Sequence, residues 1–150
     1  MEELNQDNEN VQRKPLGLVL LGGLYLFFFM LSISSFGYPF PFMGAIHQGR
    51  TAEVLVFGDS LVCLYLFLGL MKQQQLTWYL LIGYNIFEII NTLVNLLFIT
   101  TTELKKIAGQ PVDPQRLALD NFLVLTAIIF LTVFIYRNRG YFNNRSKYLF

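Results

Sequence analysis

Four apolar runs, each 20 to 24 residues long, divide most of this chain between them: Leu16–Phe36, Ala52–Met71, Leu76–Ile99 and Leu117–Tyr136. A bilayer's hydrocarbon core of roughly 30 Å is crossed by about 20 helical residues at about 1.5 Å each. Four repeats of that length constrain the fold more than any motif does. In lipid, each backbone N–H and C=O has to be satisfied inside its own segment, so every run is expected to be a helix. The fold class that follows is all-α, a polytopic membrane protein built as an antiparallel four-transmembrane-helix bundle. Composition agrees, with 14% charged residues and a mean hydropathy of +0.47, where a soluble domain carries roughly 25% charged residues.

The first run has the flanking Arg13 and Lys14 of a signal peptide. At 21 residues it is too long for a signal core, and the following GYPFPF lacks a small-residue cleavage pattern, so it is expected to be a retained span. The polar residues 1–12 are expected to be disordered, 13–140 to form the transmembrane domain, and 141–150 to form a basic-aromatic tail. The short KQQQ link makes spans two and three a tight antiparallel hairpin. With both termini on the same side, that side holds Arg13, Lys14, Lys72, Arg137, Arg139, Arg145 and Lys147, against Arg50, Lys105, Lys106 and Arg116 on the other. Seven cations against four place both termini in the cytoplasm of a cell inner, or plasma, membrane.

Loop one, GYPFPFMGAIHQGR, has two prolines that prevent regular helix and aromatic rings that suit the headgroup region. In loop three, Asp113 and Pro114 form a helix start, with Asp113 as N-cap. Thr51, Ala52 and Glu53 are expected to start span two in a similar way.

Several function classes are excluded. A net charge of +1 without a basic patch leaves no nucleic-acid partner. Single Cys63 and single His47 exclude a dithiol relay, a bis-histidine haem and a His-rich metal site within one chain. No catalytic triad, zinc motif or phosphate loop is present, so no enzyme activity, cofactor or metal is expected. The expected partners are the lipid bilayer and either further copies of the chain or a larger membrane complex.

The chemistry concentrates in span three. Glu88 lies at its middle, in a run with no Lys, Arg or His. A carboxylate at bilayer depth has to be protonated, paired, or in contact with water or an ion. Asn85, Glu88, Thr92 and Asn95 follow spacings of three, four and three, so they form one helical stripe, flanked by Asn91 and preceded by Tyr84. Asp59 lies roughly 10 Å below the end of span two and Glu88 about 16 Å below the end of span three. If both face inward, the two carboxyls come within a side chain's reach and share a proton. Asp120, Asn121 and Thr126 on span four, and Tyr25, Ser32, Ser34 and Ser35 on span one, extend a polar seam. Glu53 and Asp120 have a plainer explanation near helix starts.

Arg13-Lys14-Pro15-Leu16-Gly17 resembles the Arg-x-Pro-Leu-Gly opening of small bacterial four-span inner-membrane proteins of unknown function. Gly69-Leu70 before a short polar link, Trp78, and the tail with Tyr141-Phe142 and Phe150 are similar too. This resemblance implies a four-helix inner-membrane protein and supplies no activity. The chain departs from the pattern in its Asn- and Glu-rich third span. Small multidrug transporters offer an analogy of mechanism, but their membrane-embedded Glu is in the first span.

Two functions fit these residues. One is a non-enzymatic structural or accessory membrane subunit whose stripe of Tyr84, Asn85, Glu88, Asn91, Thr92 and Asn95 docks helices. The alternative is a small proton- or cation-coupled transporter with Glu88 as the titrating group, Asp59 as its helper, and Asn85 and Asn95 as ligands. A dry stripe means packing and a wet one means transport.

Overall fold

The structure, a computed structural model, describes residues 16–109 and 113–145. Helix α1 spans Leu16–Ser34, followed by a hairpin of β1 (Phe40–Phe42) and β2 (Ala45–His47). Helices α2 (Gly49–Met71), α3 (Gln75–Phe98), α4 (Thr101–Ala108) and α5 (Pro114–Arg137) follow, then a 3-10 turn at Arg139–Tyr141. Helices α1, α2, α3 and α5 are long and apolar enough to cross a membrane. They match the four expected spans to within three residues at each end. The expected N-terminal stretch 1–12 and residues 146–150 of the tail lie outside the described residues.

Two features go beyond the four expected spans. Loop one pairs antiparallel, with Phe40 opposite His47 and Phe42 opposite Ala45. Its two-residue turn puts Met43 at φ 49° and Gly44 at φ 82°, the positive-φ pair that matches the twist of a tight hairpin. Loop three contains α4, started by a capping box. Thr100 Oγ1 accepts from the Glu103 amide, while Glu103 reaches back to the Thr100 amide. Asp113 caps α5 as expected, accepting from the Gln115 amide at 3.0 Å. By contrast, α2 begins at Gly49 behind Gln48, which makes no side-chain cap, so Thr51 is the third residue of the helix rather than its start.

Helix α1 packs chiefly on α2, and α3 chiefly on α5. Although only Lys72–Gln74 separate α2 from α3, these two touch more thinly than either of those pairs. Their backbones come closest near the turn, where a Cβ added to Gly69 would collide with Thr77. Asn144 then seals the turn: its carbonyl accepts from the Gln75 amide at 2.8 Å, its amide donates to Gln73 at 3.2 Å, and its side chain donates to the Lys72 carbonyl at 3.0 Å.

The apolar core occupies the half of the bundle near this turn, the tail end. Leu18, Leu21, Tyr25, Leu66, Leu70, Trp78, Leu81, Ile135 and Phe142 are all buried there. Trp78 Nε1 donates to the Ile135 carbonyl at 3.0 Å, tying α3 to α5. Outside this core the surface is apolar: only 6% of α5's most apolar window is buried. An exposed apolar surface of that extent marks contact with lipid or protein.

Candidate functional site

Asp59, midway along α2, collects hydroxyls from two other helices. Tyr84 on α3 donates to its Oδ1 at 2.7 Å, and Ser32 on α1 donates to its Oδ2 at 2.8 Å. Both lengths are those of well-formed hydroxyl hydrogen bonds. Both donors have weaker second partners. Ser32 Oγ lies 3.2 Å from the Val56 carbonyl, and the Tyr84 hydroxyl lies 3.4 Å from Cys63 Sγ. Cys63 follows Asp59 by one helical turn, so the two share a face.

Glu88 follows Tyr84 by the same one-turn step along α3. It is half-buried and lines the same cavity as Asp59. Beneath them, the fully buried Tyr25 hydroxyl donates to Asn85 Oδ1 at 2.8 Å. Asn85 Nδ2 is buried and has no hydrogen-bond partner. An amide N–H in that position costs about 1–3 kcal/mol unless something accepts from it.

These residues form the polar wall of a cavity of about 440 Å³ lined by all four long helices and partly open to the outside, with Phe28 of α1 and Phe40 of β1 among its apolar walls. By volume it holds on the order of ten waters. A second cavity of about 320 Å³ continues toward the hairpin end past Asn91, Thr92, Asn95 and Asn121. Glu88 lines both, as do Phe40 and Val124, so Glu88 stands where they join. No Lys, Arg or His lines either cavity among the described residues. Toward the tail end, the core around Trp78, Leu81 and Ile135 closes the bundle.

The expected stripe thus divides by task. Tyr84, Asn85 and Glu88 meet Asp59 at the first cavity. Asn91 and Asn95 hold the β-hairpin: Asn91 Oδ1 accepts from the Met43 amide at 2.9 Å, and Asn95 Oδ1 accepts from the Gly44 amide at 2.7 Å. Asn95 Nδ2 further approaches the Pro41 carbonyl at 3.4 Å and Asn91 Oδ1 at 3.3 Å. Thr92 lines the second cavity only. Gly44 is required here, because a Cβ would stand 2.8 Å from the Cβ of Phe98.

Of the outlying seam residues, Ser32 joins the site. Asn121 donates back to its own helix at the Leu117 carbonyl, 2.8 Å away, while lining the second cavity. Glu53 and Asp120 line neither cavity. Cys63 is the member not anticipated as a site residue; its four-residue spacing from Asp59 was the available signal. Among the described residues, no group of three or more His, Cys, Asp or Glu side chains could hold a metal ion. Chemically, the arrangement is a two-acid site in which both acids line one cavity and hydroxyl donors fix Asp59, suited to holding a proton or a cation. No protein-family model matches the chain, and neither curated proteins nor solved structures gave a match.

Proposed function

We propose that the chain is a small multi-pass membrane protein that carries a proton or small cation through the Asp59–Glu88 cavity. The observation carrying this reading is that two carboxylates line one cavity whose walls hold no cationic side chain. Intramembrane acids facing a polar cavity are costly and mark ion or proton pathways.

The roles follow from the surroundings of each acid. Asp59 is the fixed acid, held by Ser32 and Tyr84. Glu88 is the exchanging acid, since it joins the two cavities and changes protonation as its cargo arrives and leaves. Thr92 and the Asn91–Asn95 amides line the approach from the hairpin end. The Trp78 core blocks the tail end, so a complete transfer requires that plug to open. Lys72, Arg137, Arg139 and Arg145 gather at the tail end, which supports placing that end in the cytoplasm and the cavity mouth outside. The plasma membrane of a bacterial cell is the location this arrangement suits.

A docking role for the stripe has one observation in its favour, the clamp of Asn91 and Asn95 on the Met43–Gly44 turn. That clamp acts within the chain. It therefore serves the cavity's architecture as well as it would serve an accessory subunit.

The test is proton flux in proteoliposomes under a potassium diffusion potential, read with an internal pH dye. The unaltered protein should exceed empty liposomes, and Glu88→Gln should fall to their level. Equal flux for the two proteins, or no flux from either, would overturn the reading.

A further inference from the structure

A cavity larger than the polar one, about 540 Å³, lies where α2 and α3 splay apart. Its sides are Leu61, Val62 and Tyr65 from α2 and Leu80, Gly83 and Phe87 from α3, and it is open along its length. Gly83 keeps it open: nothing lies within 4 Å of where a Cβ would stand. From Tyr79, at the tail-side end, to Phe87 the groove runs eight residues, or about 12 Å along α3. That is close to the depth of one leaflet of a bilayer about 30 Å thick.

The tail-side mouth is cationic and held in place. Arg139 Nη2 donates to the Tyr79 hydroxyl at 3.2 Å, and the guanidinium lies 4.8 Å from the centre of the Trp78 ring. A guanidinium has five N–H donors, so the Tyr79 bond leaves several for a phosphate oxygen. Every Asp and Glu among the described residues lies in the middle or hairpin half: Glu53, Asp59, Glu88, Glu103, Asp113 and Asp120. The tail end, by contrast, adds Lys72, Arg137 and Arg145 to Arg139.

We propose that this groove binds one anionic phospholipid, with an acyl chain between α2 and α3 and the phosphate on Arg139. Apolar depth and cationic mouth follow one another along the groove in the order a phospholipid presents them. Basic pockets between membrane helices recognise anionic headgroups in this way. A second copy of the chain in the same orientation fits poorly, because it would bring its own cationic end against Arg139. The Tyr84 ring forms part of both this groove and the polar cavity. The bound chain therefore lies against the residue that holds Asp59. The proposal requires a bilayer but not transport, so it stands or falls separately from the flux experiment.

The test is native mass spectrometry of the protein released from micelles doped with phosphatidylglycerol or phosphatidylcholine. The unaltered protein should retain one phosphatidylglycerol about fivefold more often than phosphatidylcholine, the preference worth roughly one cation near an anionic headgroup. Arg139→Gln should abolish the preference while keeping residual binding of both lipids. Gly83→Leu, which fills open space, should reduce retention of both while leaving the helical circular-dichroism signal intact. Equal retention of the two lipids by the unaltered protein would overturn the proposal, as would full retention by Gly83→Leu. Two further outcomes would also overturn it: inorganic phosphate displacing the lipid, which marks a free-phosphate site, or a dimer that Gly83→Leu dissociates.

Discussion

Replacing Asp59 tests the site at its most connected atom pair. Asp59→Leu removes the acceptors of two hydroxyls, but the losses are unequal. Ser32 can fall back on the Val56 carbonyl at 3.2 Å, whereas Tyr84 keeps only the Cys63 sulfur at 3.4 Å. Hydrogen bonds between membrane helices average about 0.6 kcal/mol and reach about 1.7 kcal/mol, with bonds to charged groups at the strong end. Counting nearly all of the Tyr84 bond and half of the Ser32 bond, Asp59→Leu should cost about 2 kcal/mol. Asp59→Asn should cost under about 0.7 kcal/mol, because its carbonyl still accepts from Tyr84 and its amide can donate to Ser32 as Ser32 turns to Val56. Tyr84→Phe combined with Asp59→Leu should show a coupling of about 1 kcal/mol in a double-mutant cycle. The assay is unfolding by sodium dodecyl sulfate in mixed micelles, followed by the fluorescence of Trp78, the one tryptophan in the chain. Equal stability for Asp59→Leu and Asp59→Asn would refute the claim that this carboxylate joins three helices.

Further outcomes follow from other contacts. Gly69→Val should destabilise the bundle by roughly 1–3 kcal/mol in the same unfolding assay, because the new Cβ meets Thr77 where the α2–α3 turn is tightest. Asn95→Ala should expose the Gly44 amide to exchange, cost about 1 kcal/mol, and speed hydrogen exchange at Met43 and Gly44 without altering exchange at Leu81. Glu88→Gln should keep the unaltered protein's stability to within about 0.5 kcal/mol while abolishing flux, which separates the residue's chemistry from its packing. Asn144→Ala should loosen the α2–α3 turn, seen as faster amide exchange at Gln75.

Some of this was legible in the residues and some was not. The four long helices were, because apolar runs of this length have to close their own hydrogen bonds wherever water is excluded. The stripe on α3 was equally plain from its three-and-four spacing, and Ser32 and Asp59 carried enough polarity to be noticed. What the spacing could not assign was the division of labour along the stripe. Asn95 looks like a ligand, and Asn91 like its flank, until the positive-φ turn at Met43–Gly44 supplies amides for them to hold. That turn hid because its sequence is Met-Gly rather than the Asn-Gly that signals such hairpins, and because Pro41 reads as a breaker although an edge strand tolerates it. Helix α4 was announced by Thr100-x-x-Glu103, a capping box hidden among three threonines. The weak contact between α2 and α3 ran against the expectation of a tight pair. A short link fixes where two helices meet, at Gly69 and Thr77, but not how far they diverge beyond it.

The lock that Asn144 places on the α2–α3 turn also has a consequence for biosynthesis. Asn144 is made 70 residues after Gln74. At about 5–20 residues per second, on the order of several seconds of translation separate the turn from its fastener. Within that interval α3 and α5 are themselves made, and the core beside the turn stays incomplete until Ile135 and Phe142 arrive. The turn is thus made long before it can be fastened. A ribosome stalled near residue 130 would leave α5 unfinished and the α2–α3 turn without its fastener.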